Sequence, residues 1–117
     1  MSMKDFLKNL FSRDNDFEKV ESVDIENSVR KEITVSGRVQ GVGFRFFTQQ
    51  TAINLRITGW VKNQSDGSVI MEVQGTPQQL DSLITRLKQG NGYSKVVQMK
   101  IENLDVEKGE NKFGIRY

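Results

Sequence analysis

The run Gly37-Arg38-Val39-Gln40-Gly41-Val42-Gly43-Phe44-Arg45 places three glycines and two arginines in nine residues, within a chain that has no histidine and no cysteine. Those absences remove Ser-His-Asp triads, cysteine nucleophiles, thiolate zinc sites and imidazole acid-base catalysis. Any chemistry falls to Arg, Lys, Asn, carboxylates or the backbone. Glycines permit positive φ and close backbone approach, so successive N–H groups can converge into an anion-binding concavity. If a helix starts at Phe44, its free N-terminal amides and positive dipole add to that concavity. Arg45 would then stand in the first helical turn, where a cation opposes the macrodipole at a cost of about 0.3–1 kcal/mol unless a bound anion reverses it. Its planar guanidinium matches a pair of phosphate oxygens. The spacing is neither that of the Walker loop nor that of the dinucleotide fingerprint. The same glycines also serve an ordinary strand-to-helix turn, with Arg45 as a solvated charge.

Geometry brings Asn63 to the same level. A helix from Arg45 to Leu55 descends about 15 Å, and a strand from Thr58 to Asn63 climbs about 17 Å. A right-handed crossover makes the strands before and after that helix parallel, which returns Asn63 to the neighbourhood of the glycine loop. A side-chain amide there can both donate to and accept from water. Asn at the end of a hairpin strand can equally serve the turn alone.

The elements that must hold these residues can be read from periodicity. Ile33 and Val35 alternate with Thr34 and Ser36 in a first strand that ends at Gly37. Phe44, Phe47, Thr51 and Leu55, with Ala52 and Ile53 beside them, predict a helix of about three turns. Residues 59–64 read as a strand. Ser65-Asp66-Gly67-Ser68 turns the chain into a second arm carrying Val69, Met71 and Val73. Thr76, Pro77 and Gln79 form a capping-box start to a helix with Leu80, Leu83, Ile84 and Leu87 inward and Gly90 at its end. Val97, Met99 and Ile101 alternate in a further strand, and residues 113–117 close the domain as a short edge strand. The order βαββαβ predicts a ferredoxin-like α+β sandwich, two helices on one face of a mainly antiparallel sheet.

The 117 residues, 36% hydrophobic, suffice for one core. The first 28 residues carry seven acidic against four basic side chains, and the remainder thirteen basic against eight acidic. We therefore expect an N-terminal extension over 1–28 and a folded domain over 29–117. Phe6, Leu7, Leu10 and Phe11 fit a short amphipathic helix within residues 3–12 that frays or packs loosely on its own domain, docks a partner or lies at a membrane surface; interfacial helices carry a richer Lys/Arg face, which favours the first of these. No stretch approaches the roughly 18 apolar residues of a membrane span, and the first residues lack the apolar core of a secretion signal. Without cysteine, no disulfide calls for an oxidising compartment. A cytoplasmic location and a monomer are expected.

The glycine loop with Arg45, and Gly59-Trp60-Val61-Lys62-Asn63 followed by Asp66-Gly67, resemble the two signature motifs of the acylphosphatase family. The resemblance extends through Gln74-Gly75 to the terminal Phe113-Gly114-Ile115-Arg116-Tyr117 and covers about residues 30–117. It implies the ferredoxin-like fold and hydrolysis of the carboxyl-phosphate anhydride of a small acyl phosphate to carboxylate and inorganic phosphate. By that resemblance Arg45 binds the phosphoryl group together with the loop Val39, Gln40, Gly41, Val42, Gly43 and Phe44, and Asn63 orients the attacking water. A carboxylate leaves with little need of protonation, and a loose phosphoryl-transfer transition state asks mainly for positioning and charge stabilisation. No metal, cofactor or covalent intermediate is expected. The family often has Gly where Arg56 stands, and Gly-Pro with small residues where Gly90-Asn91-Gly92-Tyr93-Ser94 stands; neither departure falls on Arg45 or Asn63.

Two other classes compete. Gly43-Phe44-Arg45-Phe46-Phe47 faintly echoes an RNA-recognition motif, but its aromatics begin a predicted helix instead of lying on a strand, and the basic excess is modest, so no nucleic-acid partner is expected. A regulatory domain of the same fold, docked through residues 1–28, is the other.

Overall fold

Alternation in the first strand survives into three dimensions and decides what the rest must cover. A computed structural model describes residues 16–117; the helix expected within 3–12 lies outside them. The strands are β1 (Val29–Arg38), β2 (Thr58–Asn63), β3 (Val69–Gly75), β4 (Lys95–Leu104) and β5 (Phe113–Arg116), and the helices are α1 (Phe44–Asn54) and α2 (Pro77–Gln89). The sheet order is β4-β1-β3-β2-β5. Pairing is antiparallel except for β2 with β5, which run parallel. This is the expected ferredoxin-like βαββαβ sandwich with a fifth strand on the β2 edge.

Ile33, Val35, Val61, Val69, Met71 and Val73 point to the helical side and are fully buried with Phe44, Ala52, Leu80, Leu83 and Leu87. Apart from Ala52, each such side chain contributes roughly 1.5–3 kcal/mol on burial. α1 packs over β2 and β5, and α2 over β3 and β4. The inner face of α1 also holds polar residues. Thr48 and Thr51 turn their hydroxyls onto the carbonyls of Phe44 and Phe47, each at 2.8 Å, and Gln49 Nε2 donates to the Phe113 carbonyl at 3.0 Å. Every one of these buried donors thus has an acceptor, which removes most of its desolvation cost. The β2 backbone comes so close to β3 at Gly59 (φ 140°) that a Cβ there would lie 1.9 Å from the Glu72 carbonyl oxygen.

The start of α2 and the end of α1 follow their local chemistry. Thr76 Oγ1 accepts from Gln79 N–H while the Gln79 side chain accepts from Thr76 N–H, the expected capping box, with Pro77 next. α1 ends in a Schellman arrangement. Ile57 N–H bonds the Ala52 carbonyl at 2.8 Å, Arg56 N–H bonds that of Ile53 at 3.0 Å, and Arg56 stands at φ 62°.

One inward face differs from the expected alternation. The β1–β4 register shifts between Ser36 and Gly37, so Val96 packs against the core and Val97 is 73% exposed. A bulge moves the side chains on one side of it to the opposite face, which an alternation count cannot register.

Ahead of β1, Lys19 bridges Lys112, Val20 N–H bonds the Asn111 carbonyl at 2.8 Å, and the Val20 side chain joins the core. Residues 19–20 are thereby tied to the chain entering β5. Among the described residues, no helix is long and apolar enough to cross a membrane.

Candidate active site

The segment between β1 and α1 is held at both ends by buried apolar anchors, Val39 and Phe44, each 1% exposed. Between them the chain must arch outward, and two polar ties fix the arch. Gln40 Nε2 donates to the carbonyls of Gln64 at 2.7 Å and Ser68 at 2.8 Å, and the Val42 carbonyl accepts from Asn91 Nδ2 at 2.8 Å. Gly43 is the N-cap of α1 at φ 76°, and no side chain caps the helix. The first amides of α1 therefore keep their hydrogen-bonding capacity for a ligand.

The arch borders a concavity of about 270 Å³ lined by Val39, Gly41, Gly43, Phe44, Arg45, Phe46, Asn63, Ile115 and Tyr117. Arg45 and Asn63 share this wall because α1 and β2 are antiparallel in space and β2 ends where α1 begins. The half-buried Arg45 guanidinium donates through Nη1 to the Arg116 carbonyl at 3.3 Å and lies 4.9 Å from the Tyr117 ring centroid. Arg116 in turn places its guanidinium 4.3 Å from the centroid of Trp60. The end of the chain thus steadies Arg45 through a backbone carbonyl and an aromatic face.

Asn63 Oδ1 is buried and has no hydrogen-bond partner among the described residues. An unpaired buried acceptor costs about 1–3 kcal/mol, so it is retained against a stability cost. The turn after it is firmly built. Gln64 N–H bonds the Ser68 carbonyl at 2.9 Å, and Asp66 Oδ1 accepts from Ser68 Oγ and N–H at 2.6 and 2.9 Å. The hydroxyl, and then the amide, of Ser68 hold the Asp66 carboxyl below its ordinary pKa.

Of the eight residues expected in the site, six line the concavity: Arg45, Asn63, Val39, Gly41, Gly43 and Phe44. Gln40 and Val42 do not. The Gln40 amide is committed to the β2–β3 turn and the Val42 side chain packs on the core, so only their backbone is left to face a ligand. Sequence reading missed four contributors. Phe46, 62% exposed at the rim, lies inside the motif but off the helical stripe. Ile115 and Tyr117 enter only through the parallel β2–β5 pairing. Asn91 meets the arch across 49 residues of sequence. Among the described residues, no cluster of acidic side chains is able to hold a metal ion.

Fold and site together define a ferredoxin-like domain with an arginine at the uncapped start of its first helix. Comparison with known proteins narrows that class. The family model for acylphosphatase matches residues 31–115. An acylphosphatase of Clostridium beijerinckii is 47% identical over 89 residues, spanning 76% of this chain and 99% of that protein. The crystal structure of acylphosphatase from Bacillus subtilis superposes with a TM-score of 0.72 at 38% identity, covering 76% of this chain and 99% of that one. An acylphosphatase from Coxiella burnetii gives a TM-score of 0.73 at 35% identity, covering 78% and 95%. The chain belongs to the acylphosphatase family, whose activity class is acyl phosphate hydrolysis.

Proposed function

We propose that the concavity hydrolyses small acyl phosphates by in-line attack of a water held by Asn63 on a phosphoryl group held by Arg45 and the amides of the arch. The observation that carries this reading is the buried, unpartnered Asn63 Oδ1 on the same wall as the Arg45 guanidinium and the uncapped start of α1. A phosphoryl group seated on the helix N-terminus receives N–H donors on one side and the guanidinium fork on another. Water donating one hydrogen to Asn63 Oδ1 keeps a lone pair free for phosphorus. As the new P–O bond forms, the bond from phosphorus to the acyl oxygen breaks and its electron pair leaves with the carboxylate. The water's proton passes to a phosphate oxygen of the substrate, so no protein base is needed. Arg45 is a permanent cation and stabilises the equatorial oxygens as charge redistributes over them. The reading includes a monomer, a cytoplasmic location compatible with the lack of cysteine, and no metal, cofactor or nucleic acid.

Benzoyl phosphate hydrolysis in EDTA, beside a phosphate monoester control, tests it. Anhydride turnover without monoester turnover is expected. Asn63→Ala should keep competitive inhibition by inorganic phosphate and lose kcat by about 10²-fold or more, whereas Arg45→Ala should lose both. A magnesium requirement, or near-native turnover in either variant, overturns the assignment.

A further inference from the structure

Asn91, on the loop between α2 and β4, has no place in the reaction just described, yet it touches the arch that would carry the anion. We infer that Asn91 is a positioning residue of the anion cradle: by holding the Val42 carbonyl it keeps the next amide, Gly43 N–H, turned toward the phosphoryl group. The inference rests on the reading of the site given under Proposed function.

The orientation of the Asn91 amide is fixed by its own loop. Asn91 Oδ1 accepts from Tyr93 N–H at 3.0 Å and Ser94 N–H at 2.9 Å, and Asn91 N–H donates to Ser94 Oγ at 3.2 Å. With the oxygen engaged by two donors, the NH₂ group must be the one that meets Val42 O at 2.8 Å. All described peptide bonds are trans, so the Val42 carbonyl and the Gly43 N–H point in opposite directions. Anchoring the carbonyl at Asn91 therefore sends the N–H away from Asn91. Gly43 itself lines the concavity beside Arg45, and a Cβ on Gly43 would lie 3.8 Å from Asn91 Nδ2. Asn91 backs the peptide directly.

Glycine makes this tie necessary. Gly43 stands at φ 76°, but glycine adopts other φ values at little cost, so nothing in residue 43 alone prevents the 42–43 peptide from rotating. A rotated peptide would point a carbonyl oxygen where an anion needs a donor. The Asn91 tie selects between these two orientations, and it does so from a loop that contributes no atom to the concavity wall.

Asn91→Asp separates the two jobs of the side chain. The aspartate keeps an acceptor for Tyr93 and Ser94 but loses the donor to Val42, setting oxygen against oxygen. The variant should stay folded, its Tm lowered by several degrees for the lost Val42 bond, while the inhibition constant of inorganic phosphate and the KM for benzoyl phosphate rise about tenfold, as expected for one misdirected donor to an anion. The rise should persist at about 0.5 M salt, where a mere charge effect would be screened. Asn91→Ala should show the same loss of phosphate affinity. A second readout needs no variant: on adding inorganic phosphate to the wild-type protein, the Gly43 amide proton should move downfield in ¹H–¹⁵N spectra. Wild-type phosphate affinity in both variants, a rise that vanishes in salt, or a Gly43 resonance unmoved by saturating phosphate overturns the inference. Failure of the underlying reading looks different: wild-type protein without benzoyl phosphate turnover, or Arg45→Ala with unchanged phosphate affinity.

Discussion

Gln40 Nε2 donates to the main-chain carbonyl of Gln64 at 2.7 Å, and Gln64 directly follows Asn63. The same nitrogen reaches the Ser68 carbonyl at 2.8 Å, on the far side of the β2–β3 turn. One side chain thereby couples the arch before α1 to the hairpin that presents Asn63. In the proposed mechanism this side chain holds the places of anion and water at a fixed distance while itself reaching neither.

Gln40→Ala should therefore act on geometry. Two carbonyls lose a donor, which costs roughly 1–3 kcal/mol of stability. Turnover should fall about tenfold or more while inhibition by inorganic phosphate changes little, since the guanidinium and helix amides stay in place and only the water is displaced. Steady-state kinetics with a phosphate inhibition series distinguishes this from Arg45→Ala, which loses both. Equal loss of phosphate affinity and turnover in Gln40→Ala would assign Gln40 to the cradle instead.

The acid limb of stability should report Asp66. Its folded-state pKa lies below the ordinary carboxylate value because Ser68 donates to it. A lowered pKa means the contribution is fully present above the unfolded value near 4 and is lost as pH falls through the lower folded value. The difference in melting temperature between wild type and Asp66→Ala should be constant from about pH 5 to 8 and shrink below about pH 4. A difference that instead shrinks between pH 5 and 8 contradicts the hydrogen-bonded turn.

Arg56 shows how sequence and structure divide the information. The family resemblance marks it as a place where glycine is common, and the structure supplies the reason: Arg56 occupies the left-handed residue of the Schellman end of α1. Arg56→Gly should raise stability by about 1 kcal/mol, or about 5 °C in Tm for a domain of this size, without altering turnover. Calorimetry checks it; an unchanged or lower Tm would show that Arg56 makes compensating contacts.

Periodicity carried most of the architecture because its elements are amphipathic in the ordinary way: Ile33 and Val35 alternate, Leu80, Leu83 and Leu87 recur, and Thr76 with Gln79 announces a helix. The nearness of Arg45 and Asn63 followed from one handedness rule and two lengths. What stayed hidden depends on contacts distant in sequence. Nothing near Asn91 signals a tie to Val42, and nothing near Tyr117 signals a ring beside Arg45. The exchange of Val96 for Val97 arises from a bulge whose cause lies in the pairing of β1 with β4. Arg30 is the strongest case, since a cation in an amphipathic strand reads as a solvated charge.

Arg30 is in fact 2% exposed, on the sheet face opposite Ile33 and Val35. Its Nε bonds Glu72 at 3.0 Å, and Nη1 bonds Gln74 at 3.1 Å and Glu110 at 2.8 Å. Gln74 also accepts from Glu107 N–H and donates to the Glu107 carbonyl, each at 2.8 Å. The segment between β4 and β5 is thus clamped over the open face of the sheet. Burial pulls the Arg30 pKa down, but the hydrogen bonds and charges of Glu110, Glu72 and Glu107 outweigh it and leave the value raised. With a raised pKa the contribution is fully present below the ordinary value and lost only at more alkaline pH than any practical assay, so the clamp is insensitive to pH around neutrality. Arg30→Ala leaves three carboxylates without their cation, and because Glu72, Glu107 and Glu110 retain contact with water the expected cost is about 2–3 kcal/mol, below that of a fully buried pair. Urea unfolding should show that loss. Turnover by the folded variant should stay near wild type, because Arg30 sits at the end of β1 remote from the arch. The outcome is the reverse of Gln40→Ala, and a variant that kept its stability but lost turnover would place the clamp in the working of the site.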